Sequence, residues 1–191
     1  MSDVFSSRPA LLIVDLQAGT LGRGFAPRSA EDCLAAAVTL ARQVHRAAGM
    51  VIVARSVFAG DLADIPPGPV DRPMPISSSG LPEDWAELPA SLTEVADLVV
   101  DRPHWNVFHA TGLDIALRRR GIKDVILAGL TSNFSIESTA RHGWELGYAL
   151  WFAADAMTSI STESHEFALA TTLPRLGRVS TCAALAAALT P

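Results

Sequence analysis

Runs of apolar residues alternate with helical patterns along the 191 residues of the chain. Each run is short and almost free of polar positions, which is typical of a strand that is covered on both faces. The predicted strands cover residues 10–14, 50–54, 97–100, 125–128, 148–153 and 178–180. Buried strands that alternate with helices indicate a parallel sheet between two layers of helices. We therefore predict an α/β domain of three layers (α/β/α) with a Rossmann-like, six-stranded parallel sheet.

Residues that favour helix ends delimit the helical patterns. Ser29 is a suitable N-cap for a helix that Gly49 ends, and Thr111 for a helix that Gly121 ends. Further helices are predicted after the fourth strand as far as residue 146, over residues 161–173, and at the end of the chain. The segment 57–92 is rich in proline, glycine and serine, which predicts a loop, with a short helix near residues 82–88. We expect this loop to cover the ligand site and to set its specificity.

Composition narrows the classes of function. The chain is 49% hydrophobic and 18% charged, which is typical of one globular domain, and we assign residues 1–191 to it. The net charge is −5 and the basic residues are scattered, which argues against nucleic acid or a membrane as a partner. The sequence has no apolar run of about 20 residues and no signal-peptide pattern. Cys33 and Cys182 lie in alanine-rich helical patterns and are expected to be reduced, so we predict a cytoplasmic protein.

Polar side chains stand where the predicted strands end. Asp15 follows the first strand with Gln17 close by, Arg102 follows the third strand, and the polar run 131–135 follows the fourth. Ligands of parallel α/β sheets bind outside the carboxyl ends of the strands. If these strands are neighbours, then the acid Asp15, the base Arg102 and the hydroxyl of Ser135 converge on one crevice. Ser135 then lies near the start of a helix, where the free N–H groups favour a developing anion.

Each of these residues also has an ordinary structural interpretation. An aspartate after a strand is often a turn residue, an arginine is more often part of a surface ion pair, and a serine before a helix is most often a cap. His104 and His109 flank the loop after the third strand, but isolated histidines are mostly structural or solvated. The shared position at strand ends is what favours the catalytic interpretation.

Two longer motifs carry a resemblance to a known family. The first is "LLIVDLQ", which contains Asp15, and the second is the stretch from "RPHWNVF" through "AGLTSN" and "ESTAR" to the pair Gly147-Tyr148. Together they resemble the isochorismatase-like (cysteine hydrolase) superfamily, and the similarity extends from about residue 10 to residue 184. The resemblance implies the strand order 3-2-1-4-5-6 and a homo-oligomer, either a dimer or a tetramer.

The resemblance also implies a set of site residues. The triad of the family is Asp, Lys and a nucleophilic Cys, and Asp15, Arg102 and Ser135 stand at these three positions. A cis peptide is then expected between Leu130 and Thr131, with an oxyanion hole formed by the backbone N–H groups of Thr131 and Ser135. The nicotinamidase metal site needs an Asp and histidines after the second strand, and "ARSVFAGD" lacks them, so we expect no metal and no other cofactor. The residues that we expect to contact a small-molecule substrate or to line its pocket are Gln17, Trp105, Phe134, Trp85 and Met74.

Three hypotheses remain open for the chemistry, because two residues of the triad are changed. In the first, Ser135 attacks a carbonyl with Asp15 as its base, while Arg102 orients Asp15 or the substrate. In the second, Asp15 acts as a general acid without a covalent intermediate, while Arg102 binds a substrate carboxylate with the two-pronged donor face of its guanidinium. In the third, the fold is inactive and serves as a small-molecule binding or assembly module. A serine normally needs a base of pKa near 7, and an aspartate, of ordinary pKa about 3.9, is a weak one. Hydrolysis of a small carbonyl- or carboxylate-bearing metabolite is the leading expectation.

Overall fold

The protein is described here by a computed structural model that covers residues 5–65, 68–74, 76–78 and 80–189. Its centre is a parallel sheet with the strand order β3-β2-β1-β4-β5-β6. The strands are β1 (Ala10–Val14), β2 (Met50–Ser56), β3 (Leu98–Arg102), β4 (Asp124–Gly129), β5 (Ala149–Met157) and β6 (Gly177–Ser180). Both the predicted fold class and the predicted strand order are confirmed.

Helices connect the strands and cover both faces of the sheet. They are α1 (Ala30–Arg46), α2 (Ala90–Thr93), α3 (Leu113–Arg118), α4 (Glu137–Glu145), α5 (Thr162–Phe167), α6 (Leu173–Leu176) and α7 (Cys182–Ala188). Two π-helical segments, Ser132–Ile136 and Ala168–Thr172, lead into α4 and α6. No helix in the described part of the chain is long and apolar enough to cross a bilayer.

The helix ends agree with the sequence only in part. Ser29 caps α1 as predicted, and its hydroxyl accepts a hydrogen bond from the N–H of Asp32 at 3.0 Å. The helix ends before Gly49, however, because Ala48 takes the left-handed conformation with φ 56°. The predicted cap Thr111 is wrong by one residue: Gly112 is the N-cap of α3, and the Thr111 hydroxyl donates to the carbonyl of Val107.

The segment between β2 and β3 also differs from the prediction. The chain makes a turn near residues 82–87, where a short helix was expected, and the helix of this segment is α2. The turn is fixed by hydrogen bonds from Trp85 N–H to the carbonyl of Pro82 and from Glu87 N–H to the carbonyl of Asp84. Proline at position 82 suits a turn as well as the first residue of a helix, so the sequence alone does not distinguish the two.

Side chains of β1 alternate between two apolar clusters, one on each face of the sheet. Leu12 packs with Ile52 and Phe152 on one face, while Leu11 and Ile13 pack against α1 on the other. All five residues of β1 are fully buried, as expected for a central strand between two helix layers. The chain order reverses between β1 and β4, so the crevice at their carboxyl ends lies at the topological switch point, where α/β sheets bind ligands.

Gly129 allows β4 to end against β1 at this switch point. Its φ is +110°, and a Cβ atom there would lie 2.1 Å from the carbonyl oxygen of Val14. We expect Gly129→Ala to lower the free energy of unfolding by about 3 kcal/mol or more, measured by urea denaturation. Gly60→Ala is the control, because Gly60 has open space around its Cα. Equal stabilities for the two variants would contradict this role of Gly129.

Candidate active site

Asp15 lies at the end of β1 in an uncommon backbone conformation. Its φ is +55°, and its N–H donates to the carbonyl of Ala54 in β2 at 2.9 Å. Residues other than glycine with positive φ are uncommon, although aspartate tolerates this region better than most, and such residues cluster at functional sites. The Asp15 side chain lies at the carboxyl edge of the sheet and is nearly buried, with 10% of it exposed.

One oxygen of this carboxylate holds both other members of the predicted triad. Asp15 Oδ2 accepts a hydrogen bond from Arg102 Nη2 at 2.7 Å and another from Ser135 Oγ at 2.7 Å. The second oxygen, Oδ1, is buried and has no hydrogen-bond partner among the described residues. The structure thus brings the three predicted residues into direct contact and leaves one carboxylate oxygen available.

Arg102 extends from the end of β3 into the same crevice and is 2% exposed. While one terminal nitrogen binds Asp15, the other, Nη1, donates to the backbone carbonyl of His104. Both terminal nitrogens of the guanidinium thus bind protein groups, while Nε is buried and has no hydrogen-bond partner among the described residues. This geometry favours the first predicted role of Arg102, which is to orient Asp15.

Ser135 lies on the π-helical segment Ser132–Ile136, which leads directly into α4. The peptide bond between Leu130 and Thr131 is cis, as the family resemblance implies. The carbonyl of Thr131 accepts hydrogen bonds from the N–H groups of Phe134 and Ile136, which closes the turn. This places Ser135 near the start of a helix, where N–H groups lack intrahelical partners in general. The oxyanion hole formed by the N–H groups of Thr131 and Ser135 stays a prediction.

The side chain of Gln17 has a structural role, and its predicted contact with substrate stays a prediction. Its side chain is fully buried, its amide nitrogen donates to the carbonyls of Ser56 and Trp85, and its oxygen accepts from the N–H of Ser56. The amide thus joins the end of β1 to the end of β2 and to the loop above them. Trp85 is likewise packed in place, because its ring lies against Gly19 and its indole N–H donates to Ser56.

Two aromatic rings, one exposed and one half-buried, lie close in the chain to members of the triad. Trp105 follows Arg102 by three residues and Phe134 directly precedes Ser135, and their ring centroids are 4.9 Å apart. Trp105 is 58% exposed, so the pair offers an apolar surface at the edge of the crevice. Met74 is exposed in the loop between β2 and β3, and no described contact connects it to the triad.

His165 is a residue near the site that the sequence did not single out. It lies on α5, and its Nδ1 is 2.7 Å from the hydroxyl of Ser132, in the turn that carries Ser135. Burial lowers the pKa of the His165 imidazole, and the nearby charge of Arg28 lowers it further. A histidine in "SHEFALA" looks like any residue on a helix, so only the packing of α5 against the turn reveals the contact.

The described residues contain no cluster of three or more His, Cys, Asp or Glu side chains that could hold a metal ion. His104 and His109 are in contact with each other, at 4.8 Å between ring centroids. Burial lowers the pKa of His104, and the proximity of His109 and Arg102 lowers it further.

Cys33 and Cys182 are free thiols, and burial raises the pKa of Cys33 to about 12, so this thiol is inert at neutral pH.

Comparison with known proteins identifies the family and the fold of the chain. The model of the isochorismatase domain matches residues 9–184 of the chain. The uncharacterized isochorismatase family protein YecD of Escherichia coli O157:H7 is 35% identical over 180 residues, which is 94% of this chain and 95% of that protein. The structure of an isochorismatase family protein from Burkholderia thailandensis is 33% identical, covers 100% of both chains and superposes with a TM-score of 0.91.

One similar protein with a stated activity matches a shorter part of the chain. The ureidoacrylate amidohydrolase RutB of Methylobacterium radiotolerans is 36% identical over 107 residues, which is 56% of this chain and 42% of that enzyme. Its activity is a hydrolysis, which supports the hydrolase class predicted from the sequence. Nothing in these comparisons favours the inactive binding module.

The buried ion pair gives a direct prediction for stability. We expect Arg102→Ala to lower the free energy of unfolding by about 3–5 kcal/mol, because the substitution leaves the Asp15 carboxylate buried and unpaired. Arg141→Ala, which removes an exposed pair with Glu137 on α4, should cost about 0.5 kcal/mol or less. Urea denaturation at pH 7 measures both. A small loss for Arg102→Ala, similar to that of Arg141→Ala, would show that the crevice is hydrated enough to accept a lone carboxylate.

Proposed function

The chain belongs to the isochorismatase family, and we propose that it hydrolyses a small carbonyl- or carboxylate-bearing metabolite at the crevice that contains Asp15. The observation that carries this proposal is the asymmetry of the Asp15 carboxylate. Arg102 and Ser135 share one oxygen, while the other oxygen is buried without a partner among the described residues. A buried acceptor without a partner is costly, and in an active site it is a position for a substrate or water proton.

The arrangement supports general acid–base catalysis through Asp15 Oδ1 without a covalent intermediate. The two hydrogen bonds to Oδ2 fix the plane of the carboxylate, so Oδ1 has one direction in which to exchange a proton. In this mechanism Oδ1 takes a proton from an attacking water or delivers one to the departing group, and Ser135 holds the carboxylate in position. Trp105 and Phe134 supply an apolar surface for the rest of the substrate.

A covalent mechanism is the second candidate, and the contact between Ser135 and Asp15 favours it. The serine hydroxyl is 2.7 Å from a carboxylate oxygen, which is within the range required of a nucleophile and its base. The same oxygen also accepts a hydrogen bond from Arg102, however, whereas Oδ1 has no partner among the described residues and is the oxygen left to meet a substrate or water. For this reason the non-covalent mechanism stands first.

The setting of the reaction belongs to the same proposal. We infer a cytoplasmic enzyme that needs no metal or other cofactor and binds neither nucleic acid nor membrane, and the two free thiols support a reducing compartment. We also infer a homo-oligomer, a dimer or a tetramer, for which the exposed side chains of Trp144, Ile160 and Phe167 supply apolar surface. Light scattering coupled to size-exclusion chromatography measures the oligomeric state.

Two substitutions distinguish an enzyme from a binding module, and one mechanism from the other. Wild type, Asp15→Asn and Ser135→Ala are assayed against amides including ureidoacrylate, activated esters and isochorismate. We expect Asp15→Asn to lower kcat/KM by about 100-fold or more, because the reacting oxygen is lost. Ser135→Ala should lower it by about tenfold or less, because it removes one hydrogen bond to the other oxygen.

Asp101→Asn is the control, since Asp101 precedes Arg102 in β3 and forms an exposed pair with Arg55. The covalent mechanism would be established instead by two results together. Ser135→Ala would lose as much activity as Asp15→Asn, and mass spectra of the wild type would show an acyl adduct on Ser135. Turnover that survives Asp15→Asn would disprove the role of Asp15 altogether.

Ser135→Cys restores the nucleophile that the family uses. A thiol ionises far more readily than an alcohol. The thiol introduced at position 135 also shares its partner Asp15 with the guanidinium of Arg102. We expect this variant to accumulate an acyl adduct with activated esters, observed as a mass increase on residue 135, while the wild type does not. Similar adducts in wild type and variant would show that the native serine is already activated.

A further inference from the structure

Ser132 makes two contacts in a fully buried position, and together they favour one direction for both hydrogen bonds. Its hydroxyl is 2.9 Å from the carbonyl oxygen of Thr158 and 2.7 Å from Nδ1 of His165. The carbonyl oxygen can only accept, so a hydrogen bond to Thr158 uses the single proton of the hydroxyl. With that bond formed, the hydroxyl oxygen accepts from His165, and the proton of the imidazole is on Nδ1.

The turn that carries Ser135 is therefore attached on two sides. On one side, Ser135 Oγ donates to Asp15 at the end of β1. On the other side, the backbone N–H and the hydroxyl of Ser132 both donate to the carbonyl of Thr158, and Nδ1 of His165 in α5 lies 2.7 Å from the same hydroxyl. Removing His165 would remove the contact that joins Ser132 to α5.

The surroundings of His165 suit a neutral donor. The ring is 2% exposed, and burial and the charge of Arg28 both lower the pKa of the imidazole, against a smaller opposing effect of Glu166. The histidine is therefore neutral near pH 7, with one N–H group that the bond to Ser132 uses. The π-helical segment Ala168–Thr172 begins three residues later and packs against the segment that contains Ser132 and Ser135, and π-helical turns are frequent at functional sites.

We infer that His165 is a positioning residue, which holds the turn 131–135 through its Nδ1–H bond to Ser132 and so places Ser135 and the neighbouring N–H groups against Asp15. The inference rests on the proposed function, because it assigns a role in the same site. His165 does not contact the reacting atoms in this account. It acts through Ser132, and its removal should change the placement of residue 135 more than the fold as a whole.

The first test reads the tautomer directly. In protein labelled with ¹⁵N-histidine, the imidazole nitrogen shifts of His165, assigned by their loss in His165→Asn, should show the proton on Nδ1 near pH 7. A proton on Nε2 alone would overturn the inference, because the bond to Ser132 would then run in the other direction and the contact to Thr158 would lack its proton.

The second test reads the position of residue 135 without any turnover, so its outcome is separate from that of the proposed hydrolysis. In the Ser135→Cys protein, the pH dependence of alkylation by iodoacetamide reports the surroundings of the introduced thiol. The native Cys33 is silent because burial raises its pKa to about 12, and burial also raises that of Cys182. Mass spectrometry locates the label.

When His165→Leu is added to the Ser135→Cys protein, we expect the pH midpoint of alkylation to move at least half-way toward the ordinary thiol pKa of about 8.5. The reason is that a loosened turn withdraws the thiol of residue 135 from Asp15 and Arg102. Added His165→Asn, whose amide nitrogen can replace Nδ1, should retain the original midpoint. Ser132→Ala should reproduce the leucine result with a smaller change of volume, which covers the case that His165→Leu fails to fold. His45→Leu, which removes a half-exposed pair with Asp97, is the control for loss of a histidine.

A midpoint that is the same in all folded variants would show that His165 and Ser132 serve packing alone, and would overturn the inference. If alkylation responds as expected but no substrate of the panel is turned over, then the positioning role holds and the proposed hydrolysis fails. If hydrolysis is observed but the pH midpoint of alkylation is the same in all variants, then the proposed hydrolysis holds and the positioning role of His165 fails.

Discussion

The site depends on the buried ion pair between Asp15 and Arg102. Burying two charges costs several kcal/mol per ion, and their attraction repays this only with close geometry and further hydrogen bonds. The structure meets the condition at one oxygen, where Arg102 and Ser135 both lie 2.7 Å from Asp15 Oδ2, and at the His104 carbonyl, which takes the second prong of Arg102. The ends of β1 and β3 and the turn after β4 are therefore joined through a single carboxylate.

The presence of arginine where the family resemblance implies lysine changes how that charge is used. A lysine ammonium is a compact charge that can rotate toward several partners, whereas a guanidinium is flat and directs its donors in a fixed fork. In this chain both terminal nitrogens of the fork bind protein groups, Asp15 and the His104 carbonyl, while Nε has no partner among the described residues. Arg102 is thus held in place beside Asp15, and the rings of Trp105 and Phe134 are the nearest residues in the chain to which substrate recognition is proposed.

The sheet and the convergence of the triad could be predicted because both follow from short-range patterns. Apolar runs such as 10–14 must be buried on both faces, and parallel strands bring their ends to one edge. The hydrogen bonds of Gln17 and Thr111 could not be predicted, since a glutamine or threonine in a loop has the same local pattern whether it meets a ligand or a backbone carbonyl. The partners of Gln17, Ser56 and Trp85, lie 39 and 68 residues away, and no local pattern encodes them.

His165 shows the same limit and its physical reason. The residue becomes meaningful only once α5 is packed against the turn after β4, which places an imidazole 33 residues along the chain beside Ser132. The two attachments of the turn then differ in kind, because Asp15 holds Ser135 by charge at the crevice, while His165 and Thr158 hold Ser132 by neutral hydrogen bonds in the protein interior. A turn held only from the crevice would move whenever substrate or water competed for the carboxylate. The interior attachment is independent of that competition, so in the proposed mechanism the backbone of residues 131–135 stays in place while Asp15 exchanges a proton.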